Sequence, residues 1–203
     1  MRWMMRWMLL RWMMLVALSL LVSFPSWSAD FGKGLAAYER GDYVTALREW
    51  RPLAEQGHAK AQFNLGVMYA DGEGIQQDYG QAAQWYRRAA EQGDADAQTN
   101  LGWMYGTGRG VPQNYGQAVE WYRLAADQGY AMAQYNLSVM YGNGRGVVQN
   151  YVTAHMWGNI ARANRNDIAD ELLDDLEQLM SKDQIARAQQ RASDCMANQY
   201  KNC

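Results

Sequence analysis

The sequence predicts an all-α solenoid built by stacking helix pairs, and three observations predict it. A block of 36 residues recurs, since Trp85, Trp121 and Trp157 keep that spacing. So do Tyr79, Tyr115 and Tyr151, Asn64, Asn100 and Asn136, and Tyr69, Tyr105 and Tyr141. Within each block the apolar residues fall at helical rather than strand spacing. The chain also holds 19 glycines against 3 prolines. Glycine disfavours helix interiors, and most of these glycines cluster between the apolar runs, where turns belong. A hydrophobic fraction of 49% supports a packed core, and a formal net charge of −2 gives no field suited to nucleic acid.

The chain opens with residues 1–29, which read as a signal peptide. Arg2, Arg6 and Arg11 form a basic region, Met13 to Phe24 an apolar core, and Ser26 and Ser28 a small-x-small pattern. Cleavage is expected near residue 28 or 29, which implies export to a bacterial periplasm or beyond, with no membrane insertion afterwards. The alternative is an uncleaved anchor, because the apolar core with its Trp/Met-rich flank approaches the length that spans a bilayer. Met4, Met5, Met8 and Met13 are alternative starts.

Residues 30–58 follow as a partial repeat, in which GDYVTALREWRPLAEQGH matches the second half of a block. Three blocks come next, at 59–94, 95–130 and 131–166. The first two are identical at 22 of 36 positions, and the third drifts after two-thirds of its length. Each reads as helix, turn, helix. Ala61, Leu65, Met68 and Tyr69 form the apolar stripe of the first helix, and the glycines of Asp71-Gly72-Glu73-Gly74 end it. Ala82, Trp85, Tyr86, Ala89 and Ala90 form the buried side of the second. Gly66 and Gly102 lie inside first helices, at a cost of about 1 kcal/mol each relative to Ala, so a neighbouring helix must approach closely there. Ser138 holds that place in the third block. One such pair cannot bury its apolar face alone, so neighbours must stack.

After Asn164 the pattern changes. Ile168, Leu172, Leu173, Leu176 and Leu179 form a helical stripe, and Ser181 with Gln184 starts a last helix as a capping box. Residues 167–203 are therefore expected to be a two-helix C-terminal cap. Cys195 and Cys203, the only cysteines, are expected to form a disulfide in an exported chain.

The pattern A-x-A-Q-x-N-L-G-x-M-Y-x-x-G-x-G-V-x-Q-x-Y-x-x-A-x-x-W-Y resembles the Sel1-like repeat, a relative of the tetratricopeptide repeat with a longer turn. The resemblance covers residues 59–164 and, in part, 31–58. It implies a right-handed α-solenoid, an adaptor role in protein complexes and a concave groove lined by the first helix of each unit. On that face the first unit presents Lys60, Phe63, Asn64 and Val67, the second Asp96, Thr99, Asn100 and Trp103, and the third Met132, Tyr135, Asn136 and Val139. These spacings fall on one side of a helix. An asparagine side chain both donates and accepts, so a row of them can hold a peptide backbone. The alternative is that each asparagine shapes its own unit.

Catalytic chemistry finds little support. His58 and His155, the only histidines, stand far apart in repeat order, and no H-E-x-x-H, G-x-S-x-G or S-x-x-K occurs. Arg109 and Arg145, at matching points of successive turns, are either solvated or an anion site. No metal or cofactor is expected, nor nucleic acid. The expected function is an exported, non-enzymatic scaffold that binds a peptide or protein partner in its groove. The alternative, a protein that acts on or binds peptidoglycan or β-lactams, rests on cysteine-rich relatives linked to penicillin binding or weak β-lactamase activity. Those carry a cysteine pair in every repeat, which this chain lacks.

Overall fold

The structure is a computed structural model that describes residues 29–201 and 203. The expected leader and the alternative starts lie outside the described residues. Among those described, the chain forms ten α-helices and no strand, and no helix is long and apolar enough to cross a membrane. In order they are α1 (Phe31–Glu39), α2 (Tyr43–Glu55), α3 (Ala59–Asp71), α4 (Tyr79–Glu91), α5 (Ala95–Thr107), α6 (Tyr115–Ala126), α7 (Ala131–Asn143), α8 (Tyr151–Ala163), α9 (Ala169–Glu177) and α10 (Lys182–Ala197). Each odd helix up to α7 packs on the even helix after it, and each even helix up to α6 packs on the next odd one. The result is an all-α solenoid of four helix pairs.

The residues that delimit the helices recur with the repeat. Asp42, Asp78, Asn114 and Asn150 cap the second helices, each side chain accepting the backbone N–H three residues on. His58 and Asp94 do the same for α3 and α5. Tyr130 stands at that place before α7 and gives no side-chain cap. First helices α3, α5 and α7 end on Gly72, Gly108 and Gly144, with φ of 75°, 75° and 65°, the left-handed conformation that glycine adopts without strain.

The segment before the first block is a complete helix pair. Its first helix, α1, was not legible because the turn is short: Arg40, Gly41 and Asp42 span it, against the seven residues from Gly72 to Asp78 in the next unit. Allowing for those four missing residues, Gly34 takes the place of Gly66, while Trp50 takes that of Tyr86. The pairing is preserved, since a Cβ on Gly34 would lie 2.4 Å from the Trp50 indole nitrogen.

The same pairing explains the internal glycines. A Cβ on Gly66 would lie 2.5 Å from the Tyr86 ring, and one on Gly102 would lie 2.8 Å from the Tyr122 ring. In the third unit the two sizes are exchanged. Ser138 stands where Gly66 and Gly102 stood, and its hydroxyl donates to Ala154 O at 2.7 Å. Gly158 stands where the tyrosines stood, and Leu173 of α9 fills the space, 2.9 Å from where a Cβ would be. The unit thus trades its tyrosine for a leucine supplied by the cap.

A buried glutamine ties each unit to its neighbour. Gln62, Gln98 and Gln134, at most 4% exposed, donate to Ala54 O, Ala90 O and Ala126 O at 2.9, 3.0 and 3.1 Å. Those carbonyls belong to the last turn of the preceding second helix. Each glutamine oxygen accepts in turn from the end of its own unit's second helix: from Gln92 at 2.6 Å, Gln128 at 2.8 Å and Asn164 at 2.9 Å. One amide therefore joins the ends of two successive second helices.

The cap encloses α8. Helices α9 and α10 both pack on α8 rather than extensively on each other. Leu173 and Leu176 of α9 are buried, as expected, but Ile168 is 53% and Leu179 60% exposed. The buried stripe is two residues narrower than expected, because Ile168 is the residue before α9 and Leu179 lies past its end. The capping box of Ser181 and Gln184 is present at α10. Cys195 and Cys203 are bonded in the structure, while the hydroxyl of Tyr200, between them in sequence, donates to Asn164 Oδ1 at 3.0 Å.

Candidate groove of repeated clefts

Clefts open between α1 and α3 and between α3 and α5, and their linings repeat. Cleft I, of about 210 Å³, is lined by Leu35 and Tyr38 of α1, Trp50 of α2, and Phe63, Asn64 and Val67 of α3. Cleft II, of about 480 Å³, is lined by Val67, Ala70 and Asp71 of α3, Tyr79 and Tyr86 of α4, Asn100, Trp103 and Met104 of α5, and Arg109. Leu35 and Val67, Tyr38 and Ala70, Trp50 and Tyr86, Asn64 and Asn100, and Val67 and Trp103 are equivalent positions. A third cleft, of about 350 Å³, repeats the near wall with Val139, Gly142, Asn143 and Tyr151, and takes its far wall from α9, with Leu172, Asp175, Leu176 and Leu179. Clefts I and II therefore share one register, the third repeats their near wall, and α9 stands where a further unit would.

Of the residues read from sequence as groove-lining, Phe63, Asn64, Val67, Asn100, Trp103 and Val139 line these clefts. Trp103 is 40% and Met132 43% exposed. Tyr135 and Asn136 are half-buried on α7, and Lys60 is exposed at the start of α3. Two residues have other duties. Thr99 is 6% exposed and its hydroxyl donates to Ala95 O at 2.8 Å. A short β-branched alcohol bonds back to its own helix, so it does not reach the groove as Phe63 does. Asp96 accepts from the Tyr130 hydroxyl and so braces α5 against the start of α7. Phe63 reaches both ways, lining cleft I and lying 5.8 Å from the Tyr86 ring.

A linked set of shifted groups lies around clefts I and II. Glu73 accepts from the Tyr43 hydroxyl at 2.9 Å. Burial and then the Glu73 carboxylate hold the Tyr38 phenol well above its usual range. Burial, then the charge on Glu73, pushes the Asp71 carboxyl up. Burial and the Asp71 charge raise the Tyr86 phenol, against a hydrogen bond with Asn100 that works the other way. The Asn100 side chain is thus shared between the groove and its own scaffold.

The turn arginines are neither simply solvated nor paired with one another. Arg109 lies 5.5 Å from the Tyr79 ring and 5.0 Å from that of Trp103. Arg145 lies 5.7 Å from the Tyr115 ring. Each guanidinium covers the first tyrosine of the preceding second helix, a cation–π contact that replaces the Glu73–Tyr43 bond of the first unit. Sequence reasoning missed this role, although the shared 36-residue register of residues 73, 109 and 145 was its signal.

The structure keeps the histidines apart. His58 caps α3 and stacks on Phe31 at 5.0 Å. His155 is fully buried in α8, with Nε2 3.0 Å from Glu177 Oε1 and Nδ1 2.7 Å from Asn159 Nδ2. It pins α9 to α8. Among the described residues no group of His, Cys, Asp and Glu is arranged to hold a metal ion.

Comparison with known proteins gives a consistent picture. The family model described as the Sel1 repeat matches residues 59–94, 95–130 and 131–164. The crystal structure of a Sel1 repeat protein from Oxalobacter formigenes is 39% identical and superimposes with a TM-score of 0.58, covering 64% of this chain and 98% of that one. A protective antigen of uropathogenic Escherichia coli strains, displaying an SLR fold, is 26% identical with a TM-score of 0.58, covering 84% of this chain and 46% of that one. An exopolysaccharide production negative regulator of Rhizobium leguminosarum bv. viciae is 42% identical over 48 residues, 24% of this chain; the match spans only 18% of the regulator's length.

Proposed function

Because the chain belongs to the Sel1 repeat family, whose members are generally protein–protein interaction scaffolds and typically not enzymes, we propose that it binds a peptide segment of a protein partner along its row of clefts. The observation that carries this is the shared register of the clefts. Asn64 and Asn100 recur at one position, beside Val67 and Trp103 at another. Evenly repeated amide and apolar groups suit a ligand that is itself a repeating chain. Trp103 is the central anchor: large, 40% exposed and of the residue type that dominates binding hot spots.

Export is part of the proposal. The basic, apolar and small-residue regions of residues 1–29 support it, and so does the Cys195–Cys203 bond, which persists in oxidising compartments. We place the mature protein in the periplasm or outside the cell. Mass measurement of the protein recovered from the periplasm should give a chain beginning near residue 29 or 30. A full-length chain in the membrane fraction would instead support an anchor.

Pull-down from an envelope extract, beside an Asn64/Asn100/Asn136→Ala variant whose fold is verified by circular dichroism, tests the groove. A defined protein retained by the parent and lost by the folded variant is the expected result. Equal retention by both would move the interaction away from the clefts.

A further inference from the structure

We propose that Arg109 is the positioning residue of the groove: it fixes the Trp103 indole at the wall of cleft II, and so makes the second unit the one that grips a partner segment. This rests on the reading of the groove given above. Two departures from the repeat meet here. At the place of Trp103 the sister units carry Val67 and Val139, so the fold itself does not call for an aromatic side chain. Trp103 is 40% exposed, and apolar surface left in water adds nothing to the core. At the place of Arg109 the first unit carries Glu73, whose carboxylate accepts from Tyr43 instead. The third unit has Arg145 over Tyr115 at 5.7 Å, but with Val139 it has no indole to hold. Of the three blocks, the second alone has both residues.

The geometry ties the two together. The Arg109 guanidinium lies 5.0 Å from the Trp103 ring and 5.5 Å from the Tyr79 ring, and it donates to the Tyr79 hydroxyl at 3.4 Å. Among the described residues, the other arginines with such contacts each lie over one ring. Tyr79 begins α4 and Trp103 belongs to α5, so the guanidinium joins two helices through their rings. All three side chains line cleft II. Asp71 lines it too, yet among the described residues no ion pair within 4.0 Å joins it to Arg109. The arginine is therefore held by rings rather than by a carboxylate. A guanidinium is planar and stacks on aromatic faces, so one shared by two rings restricts both. An exposed side chain loses rotamer freedom when a partner orders it; an indole fixed beforehand avoids that loss, which is preorganisation. Affinity then depends on Arg109 through Trp103, without any contact between Arg109 and the partner.

Fluorine NMR of fluorotryptophan-labelled protein reads the indole directly, with its resonance assigned by Trp103→Val. That substitution is compatible with the fold, because the sister units carry valine there. The Trp103 line should be as broad as those of the buried Trp50 and Trp157, and Arg109→Gln should narrow it while the circular dichroism spectrum stays unchanged. Val139→Trp should add a broad line that narrows with Arg145→Gln, since Arg145 and Tyr115 already form the rest of the stack. The envelope protein retained in the pull-down supplies the second readout. Arg109→Gln should weaken retention about two- to five-fold, the size of an exposed cation–π contact, and Trp103→Val should weaken it further. The double variant should retain as much as Trp103→Val alone, because a residue that acts only through Trp103 adds nothing once the indole is gone. The proposal is overturned by a Trp103 line that stays broad in Arg109→Gln, by a residue-139 line indifferent to Arg145→Gln, by unchanged retention in Arg109→Gln, or by a double variant weaker than Trp103→Val. In each of those cases the groove reading stands if Trp103→Val alone loses retention. Retention by Trp103→Val equal to that of the parent, or no retention by the parent, overturns both.

Discussion

Replacing Gln98 with methionine keeps the length and shape of the side chain and removes its polar end. Gln98 is 4% exposed. It donates to Ala90 O at 3.0 Å and accepts from Gln128 at 2.8 Å. Each neutral hydrogen bond contributes about 0.5–1.5 kcal/mol net. Neither partner is stranded by the change: Ala90 O still accepts from Gly93 N at 3.0 Å, and Gln128 still donates to Leu124 O at 3.3 Å. The desolvation penalty of an orphaned group is therefore avoided, and the loss is close to that of two bonds, about 2 kcal/mol. For a chain of this size that corresponds to about 4–8 °C in melting temperature. Urea unfolding followed by circular dichroism measures it directly. An unchanged slope against denaturant would show that the change lies in stability rather than in compactness. Gln76→Met, in an exposed turn, serves as control and should fall within about 0.5 kcal/mol of the parent. A Gln98→Met protein as stable as the control would refute the view that these amides hold successive units together.

Gly102→Leu should cost about 3 kcal/mol or more by overpacking, because its Cβ would meet the Tyr122 ring at 2.8 Å and Ala118 O at 3.2 Å; a fully stable variant would contradict the close helix approach. Gly158→Tyr, which restores the residue of the sister units, should displace α9, since Leu173 occupies that space, and faster amide exchange confined to residues 169–177 is the expected signature. Serine at both Cys195 and Cys203 should lower stability under oxidising conditions by about 2–3 kcal/mol, the entropy of a short closed loop, with no effect when the parent is reduced. Burial holds the Asp94 carboxyl above its usual range, against the pull of the Ala97 amide and of Lys60. The stability tied to its protonated form is complete below the unfolded carboxylate value and is lost as pH rises through the raised folded one. Asp94→Asn keeps a capping side chain, so thermal melts should place it above the parent near neutral pH, with the difference shrinking towards acid; a variant less stable at neutral pH would refute the sign.

The sequence by itself determined the helix pairs from residue 59 to 164, the turns and the two cap helices. Those features are local: a helical stripe, a capping side chain and a left-handed glycine are each fixed by residues a few positions apart. It also located the close approach at Gly66 and Gly102, because a repeated cost implies a repeated contact. It also put Asn64, Val67, Asn100 and Trp103 on one face of the first helices, where they line clefts I and II. Only the tertiary structure decided what those residues meet. The short turn at Arg40 to Asp42 hid α1 behind a four-residue shift in register. Thr99 and Asp96 share the helical spacing of that face but are engaged by Ala95 O and Tyr130. Gln62, Gln98 and Gln134 were visible as a motif, but their partners lie 8 residues back and 30 residues on, and only the stacking of units brings those together. The shared register of clefts I and II likewise exists only once α1, α3 and α5 stand side by side. A repeat states which side chains recur, whereas the space between them is set by how each unit packs on the next.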